Sequence, residues 1–180
     1  MNLLLSFAPF LVFAVLIHLG YVEVALWAGA VVAGVLLLRD RLVLIRSFKI
    51  LEVGTLALFA ALALYTRATG QAWTIPAVRL VVDTGLLLIV LASLAAGRPF
   101  TLQYAREGAP REIWDNPRFL AINRSISFVW AAAFAVLMLA DAAMVYVPEI
   151  PRRLDIIATV IALVFAYKYT AHATAQAEQH

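Results

Sequence analysis

The 180-residue sequence contains no cysteine, which excludes disulfides, thiolate nucleophiles and zinc sites with cysteine ligands. It is also poor in charge: Asp, Glu, Lys and Arg make up 14% of its residues, against about 25% in a typical soluble domain. Hydrophobic residues make up 64%. So few charges could not cover this much apolar side chain in water. The composition therefore indicates a protein that is surrounded by lipid.

Paired metal-ligand motifs are absent as well. The sequence has 3 histidines, and none of them forms an H-x-x-x-H or H-E-x-x-H motif, so we expect no metal and no other cofactor. The net charge is +3, but the basic residues lie at the ends of apolar runs, as the loops of membrane proteins require. We therefore expect membrane lipids, and not nucleic acid, as partners.

Six apolar runs predict an all-α fold, a polytopic bundle of transmembrane helices that forms a single membrane domain over residues 1–180. The runs are continuous and do not alternate with period 2, so a β-barrel is not indicated. No Lys or Arg precedes the first run, and we interpret it as a membrane helix rather than a cleaved signal. The first two runs are short and closely spaced, and a re-entrant pair is the alternative to two crossings. The predicted spans are 2–19, 22–38, 50–66, 77–96, 125–147 and 154–174.

The basic residues predict the orientation of the bundle. The gap after the second span holds Arg39, Arg41, Arg46 and Lys49, and the gap after the fourth holds Arg98, Arg106, Arg111, Arg118 and Arg124. The other gaps hold at most two basic residues each. Because cytoplasmic loops retain positive charge, both termini are predicted to be cytoplasmic.

Polar residues of the spans collect on the predicted outer side: His18, Glu23, Arg79, Asp83 and Asp141. Arg79 and Asp83 are four residues apart, so they share one helix face and can pair, and Arg79 is also the expected partner of Asp141. One interpretation is a proton or cation relay, because ionisable groups inside a membrane commonly serve function. The other is an ion pair between helices that fixes their packing.

The segment 97–124 is predicted to be an organised interfacial loop. Pro99 ends the preceding helix, Pro110 starts a short surface helix, and Asn116 with Pro117 caps the helix that enters the fifth span. We consider three roles: binding anionic lipid, docking a protein partner, or lining a small-molecule site. Phe100, Tyr104, Trp114 and Phe119 are expected at headgroup level. The candidate lipid- or ligand-binding residues are Arg98, Gln103, Tyr104, Arg106, Arg111, Trp114, Arg118 and Asn123.

Two smaller expectations concern pairing and packing. Glu52 lies three residues after Lys49 and is expected to pair with it, while the amphipathic gap 39–49 is expected to lie along the inner surface. Ser125 and Ser127 are expected to help helices pack in lipid.

Several short segments resemble the bacterial intracellular septation protein A family. They are 7–13 (FAPFLVF), 97–99 (GRP), 110–114 (PREIW) and 120–123 (LAIN), together with Trp130 and Phe134. The likeness covers about two thirds of the chain as scattered positions. In this sequence 73–77 (WTIPA) replaces the Lys-Pro segment usual before the fourth span, and the following loop is longer. The resemblance implies a small multi-pass protein of the bacterial cytoplasmic (inner) membrane with a cell-envelope or division role, and it implies no catalytic residue.

Three functions remain open. The first is a non-enzymatic membrane protein that acts through lipid and membrane-protein contacts, as a homo-oligomer or within a complex. The second is a small transporter or channel that uses Asp83, Asp141 and Arg79. The third is a membrane enzyme acting on a lipid or isoprenoid at 98–123, although no nucleophile–base pair or phosphate-binding loop supports it.

Overall fold

A computed structural model describes residues 4–42, 48–147 and 149–178. All regular secondary structure in these residues is helical, which confirms the all-α prediction. Short 3₁₀ turns, Leu5–Phe7 and Arg111–Ile113, precede the first and the sixth α-helix. The α-helices of the described residues are α1 (Ala8–His18), α2 (Val22–Leu42), α3 (Ile50–Thr69), α4 (Ile75–Ala95), α5 (Phe100–Gly108), α6 (Pro117–Tyr146) and α7 (Arg152–Glu178).

Five of these helices, α2, α3, α4, α6 and α7, are long and apolar enough to cross a membrane. This is the architecture of a multi-pass helical membrane protein. The stretch Leu5–His18 is apolar but shorter, with a length of about 22 Å against about 30 Å of hydrocarbon. The first predicted span, 2–19, begins outside the described residues, and the count of six crossings stays a prediction.

Local sequence explains where the helices begin and end. Gly20 and Gly70 adopt left-handed φ angles of 86° and 65°, which only glycine takes without strain, and they follow α1 and α3. The predicted cap at Asn116 is confirmed, because its side chain accepts a hydrogen bond from the Arg118 N–H at 2.8 Å and Pro117 is the first helical residue. As a result α6 begins eight residues before the predicted span.

The chain divides into two compact units, Asn2–Leu86 and Leu87–His180, and α4 begins in the first and ends in the second. In the N-terminal unit, α1, α2 and α3 pack around Phe59, whose ring centroid lies 5.3 Å from that of Phe13. Gly29 permits this packing, because a Cβ there would lie 2.8 Å from the Phe59 ring. The buried core of this unit comprises Phe13, Ile17, Ala25, Leu26, Ala30, Phe59, Ala63, Val78 and Val82.

The C-terminal unit is built on the pair α6 and α7. Trp130 and Phe134 are buried with ring centroids 5.6 Å apart, and the Trp130 Nε1–H donates to Thr170 Oγ1 at 3.0 Å. Ser125 and Tyr169 join their hydroxyls at 2.6 Å, in agreement with the packing role expected for Ser125. Hydroxyl and indole groups thus link these helices at several levels.

Large apolar side chains are exposed along the helices of both units. Leu11, Val31, Leu139, Ile161 and Phe165 are each more than 60% exposed. A protein in water seldom displays apolar surface on this scale, whereas a membrane helix presents it to lipid.

Candidate functional site

The segment 97–124 of the C-terminal unit, named here the interfacial segment, is anchored by a buried hydroxyl. The Thr101 hydroxyl on α5 donates to the Asn123 carbonyl of α6 at 2.8 Å, and Ser127 Oγ lies 2.8 Å from the same hydroxyl. Thr101 and Ser127 are both buried, so these bonds form in a site that excludes solvent. They fix α5 against α6, which confirms that the segment is organised.

The turn from α4 into α5 is also specified by the sequence. Gly97 has a φ of 67°, and the Arg98 N–H behind it donates to the Ser93 carbonyl at 3.0 Å. The Ser93 hydroxyl accepts the first N–H of α5, that of Phe100, at 3.2 Å. Phe100 and Tyr104 are then buried within the unit, at 0% and 3% exposure. The apolar face of α5 therefore packs on protein and leaves its polar face outward.

An arginine and tryptophan cluster follows α5. The guanidinium groups of Arg106 and Arg111 lie over the Trp114 ring, at 5.3 and 5.7 Å from its centroid. The Trp114 Nε1–H donates to the Ala109 carbonyl at 3.0 Å, which holds the indole in place. Arg106 also lies 3.6 Å from the exposed carboxylate of Asp115. Stacking on the Trp114 ring orients both guanidinium groups, and it leaves the positive charge of Arg111 in place.

The candidate residues of the interfacial segment separate into an exposed and a buried group. Arg98, Arg111 and Arg118 are exposed, while Gln103, Arg106 and Trp114 are partly buried. Asn123 and Tyr104 are buried, and the Asn123 amide donates to the Phe119 carbonyl at 2.9 Å. The arrangement thus brings Arg106, Arg111 and Trp114 together and gives Asn123 a place in helix packing.

The polar residues predicted for the outer side are distributed over both units. In the N-terminal unit, His18 Nδ1 lies 2.7 Å from the Ala14 carbonyl of its own helix, and Glu23 is exposed beside a cleft of about 280 Å³. Arg79 and Asp83 are half-buried on α4, and Asp141 is fully buried in the C-terminal unit. A relay through these groups stays a prediction.

Sequence reasoning missed a buried group of charges in the N-terminal unit, named here the charge cluster: Ser6, Asp40, Lys49 and Glu52. Lys49 Nζ donates to Asp40 Oδ2 at 2.9 Å and to Glu52 Oε1 at 3.0 Å, which confirms the expected pairing with Glu52. The Ser6 hydroxyl donates to the same Glu52 oxygen at 3.2 Å, and Arg39 Nε donates to Asp40 Oδ1 at 2.9 Å.

The charge cluster ties three parts of the unit together at one level. Its members are all less than 8% exposed, so each charge depends on its partners and not on water. Besides the spacing of Lys49 and Glu52, the sequence signal was the acidic Asp40 between two arginines. Arg46 and Ile45, which were part of the expected amphipathic surface segment, lie outside the described residues.

Comparison with known proteins gives no family model, no curated protein and no solved structure that matches the chain. Among residues 4–42, 48–147 and 149–178, no three His, Asp or Glu side chains are grouped as metal ligands would be. The site must therefore be interpreted from its own chemistry.

Proposed function

We propose that this chain is a non-enzymatic, multi-pass protein of the bacterial inner membrane whose interfacial segment binds anionic lipid on the cytoplasmic side. The observation that carries the proposal is the exposed Arg111 stacked over the Trp114 ring, in a segment that also exposes Arg98 and Arg118. Guanidinium groups match phosphate geometry, and tryptophan favours the headgroup region.

The proposal includes six crossings with both termini inside, and one hydrogen bond supports it. Ser6 bonds to Glu52 at the start of α3, where Asp40 at the end of α2 also lies. The helix from Leu5 to His18 therefore runs beside α2 from the level of the charge cluster to the turn at Gly20. This helix is shorter than the about 30 Å of hydrocarbon, and local thinning of the bilayer can accommodate such a difference.

The basic gaps favour the same orientation whether or not α1 crosses. Residues 39–49 and 97–124 are separated along the chain by α3 and α4, both of which are long and apolar enough to cross a membrane. Two crossings between them return the chain to the same side, and nine of the 14 basic residues then lie there.

The absence of cysteine allows a direct test of topology. Single substitutions Glu107→Cys and Gln71→Cys introduce the only thiol in each variant. In intact cells an impermeant maleimide should label Gln71→Cys and leave Glu107→Cys unlabelled until the cells are opened. Labelling of Glu107→Cys in intact cells would overturn the orientation.

Lipid binding is tested by the lipids that copurify with the protein from vesicles of equal phosphatidylglycerol and phosphatidylcholine. The double variant Arg111→Gln/Arg118→Gln should shift the retained mixture toward the input ratio, since each surface arginine contributes about 1 kcal/mol of attraction to anionic lipid. Arg152→Gln/Arg153→Gln removes the same charge from the first turn of α7 and serves as the matched control. An unchanged ratio in the first double variant contradicts the proposal.

The partners of the proposed protein are other membrane proteins or further copies of this chain, and the cell-envelope or division role implied by the septation protein A resemblance belongs to the same proposal. Deletion of the gene should alter septum placement or cell length, and the Arg111→Gln/Arg118→Gln variant should fail to restore them. The molecular mass of the protein in nanodiscs gives its oligomeric state.

A second candidate function, a proton- or solute-coupled transporter or channel, is favoured by Asp141. This carboxylate is fully buried inside an apolar helix, and such groups are costly enough to suggest a function. Proteoliposomes should then show a flux that Asp141→Asn abolishes. Absence of flux from the unsubstituted protein removes this candidate.

A further inference from the structure

A shallow groove of about 450 Å³ runs along the surface of α6. Its lining includes the small side chains of Ala121, Ser125 and Ala132 and the larger ones of Phe128 and Val129. Ala121 and Ala132 are exposed, and Phe128 is 50% exposed, so the described part of the chain leaves this face uncovered.

The hydroxyl group in this lining, that of Ser125, already has a hydrogen-bond partner. The Ser125 hydroxyl lies 2.6 Å from the Tyr169 hydroxyl of α7, so it is engaged between the two helices. The remaining surface of the groove is carbon, apart from the residue at its basic end. Such a surface suits a hydrocarbon chain and offers nothing to a polar solute.

Arg124 gives the groove a charged end. It is exposed, its guanidinium lies 5.7 Å from the centroid of the Phe128 ring, and it pairs with no carboxylate in the part of the chain that the structure describes. A cation in this position complements a phosphate group, and its stacking on Phe128 limits the directions in which it can point.

The groove fits within one leaflet of a bilayer. From Arg124 to Ala132 the helix rises about 12 Å, which is less than the about 15 Å of hydrocarbon in one leaflet. Residues from Ser125 onward form the apolar part of α6, so Arg124 lies where the headgroup region meets the acyl chains. Headgroup charge and chain length are thus both accommodated.

We propose that this groove binds one anionic phospholipid of the inner leaflet, with its phosphate on Arg124 and one acyl chain along Phe128 and Ala132. The inference rests on the proposed membrane topology, but it concerns a single bound molecule and not the general preference of the interfacial segment. A second copy of the chain is a poorer occupant, because a symmetric contact on this face would bring two Arg124 side chains together.

Native mass spectrometry of the protein released from phosphatidylglycerol nanodiscs tests the inference. The unsubstituted chain should retain one phosphatidylglycerol, and retention from phosphatidylcholine nanodiscs should be weaker. Arg124→Gln should lower the apparent affinity about fivefold, the value of one surface cation near anionic lipid. Ala132→Phe should remove the adduct by filling the groove without changing charge. Ala92→Phe changes another exposed alanine, on α4, and should leave the adduct unchanged.

The outcomes separate this inference from the proposed function. An unchanged affinity in Arg124→Gln overturns the inference, and so does an adduct that persists in Ala132→Phe or equal retention of phosphatidylcholine. A doubled mass that Ala132→Phe abolishes would assign the groove to a second copy and also overturns it. If Ala132→Phe does not fold, Arg124→Gln alone decides. The copurified lipid ratio of Arg111→Gln/Arg118→Gln reports separately on the interfacial segment.

Discussion

Two basic segments of this chain, 39–49 and 97–124, look alike in sequence, and their charges are used in opposite ways. In the first, Lys49 is 1% exposed and its ammonium group donates to two carboxylates. In the second, Arg111 and Arg118 are exposed, and the carboxylate of Asp115, 3.6 Å from Arg106, belongs to a side chain that is 98% exposed. The first segment thus buries Lys49 with its acidic partners, while its Arg41 is exposed, and the second exposes Arg111 and Arg118.

The difference arises from where the carboxylates lie on the helices. Asp40 in the last turn of α2 and Glu52 in the first turn of α3 both face the buried side of their helices, and Lys49 lies between them. Buried ion pairs contribute little net stability, yet losing one partner is costly, because the other charge stays desolvated. Exposed ion pairs are screened by salt, so removing one of their partners changes the free energy of unfolding little. The charge cluster should therefore respond to substitution far more strongly than the interfacial segment.

The largest effect is expected for Lys49→Met. The substitution leaves Asp40 and Glu52 buried without the ammonium group that both accept from, so the free energy of unfolding should fall by about 3–5 kcal/mol. Chemical unfolding in detergent micelles, followed by circular dichroism, gives this value. Lys168→Met is the matched control, because Lys168 is exposed on α7 and its loss should change stability little.

A double variant tests the cause of that loss. Lys49→Met/Glu52→Gln removes one of the two stranded charges, and it should recover part of the stability, since the neutral amide is cheaper to bury. If Lys49→Met and Lys168→Met have the same free energy of unfolding, then the buried charges of segment 39–49 do not stabilise the fold more than an exposed charge does.

A smaller effect is expected for Thr101→Val in the interfacial segment. The change leaves the fully buried Ser127 hydroxyl without its 2.8 Å partner, at a cost of about 1–3 kcal/mol. Hydrogen exchange of the α5 amides should accelerate, because the tie between α5 and α6 is lost. Thr174→Val removes a hydroxyl that bonds only within its own helix, and α5 exchange in that variant should equal that of the unsubstituted chain. Unchanged α5 protection in Thr101→Val would show that apolar packing alone holds α5.

The charge cluster and the interfacial segment also show what the sequence can predict. The extent of the long helices follows from continuous apolar runs, and the start of α6 follows from Asn116 and Pro117, because both signals are local. The pairing of Lys49 with Glu52 is equally local, at a spacing of three residues. Each of these was predicted from neighbouring residues alone.

Contacts between distant residues escaped prediction. Ser6 bonds to Glu52 across 46 positions, and Thr101 bonds to Ser127 across 26, and neither spacing leaves a periodic signal. For the same reason Tyr104 and Asn123 were assigned to a lipid-binding surface, although burial places both inside the helix packing. Which face of a short amphipathic helix meets protein and which meets lipid depends on tertiary packing, and composition does not encode it.

Trp114→Leu should produce an effect below that of Thr101→Val. It removes the ring over which Arg106 and Arg111 lie, and stacked cations at exposed sites contribute about 0.5–1 kcal/mol each. The preference for phosphatidylglycerol should decline as well, because both guanidinium groups lose their fixed orientation. Trp27→Leu, which changes a partly exposed tryptophan on α2, should leave the lipid preference as it was. Equal lipid ratios in the two variants would remove Trp114 from the lipid site.

The smallest effect on stability is expected for Asp115→Asn. The same substitution at Asp40 provides the comparison, because one aspartate is exposed and the other is buried. Asp115 is 98% exposed at 3.6 Å from Arg106, so water and salt already screen its charge, and its loss should leave the unfolding midpoint unchanged at low and at high salt. Asp40 is 3% exposed and accepts from Lys49 and Arg39, so Asp40→Asn should lower the midpoint at both salt concentrations. A salt-sensitive loss in Asp115→Asn as large as that in Asp40→Asn would mean that the interfacial segment also depends on internal charge pairs, which would leave fewer of its arginines available to lipid.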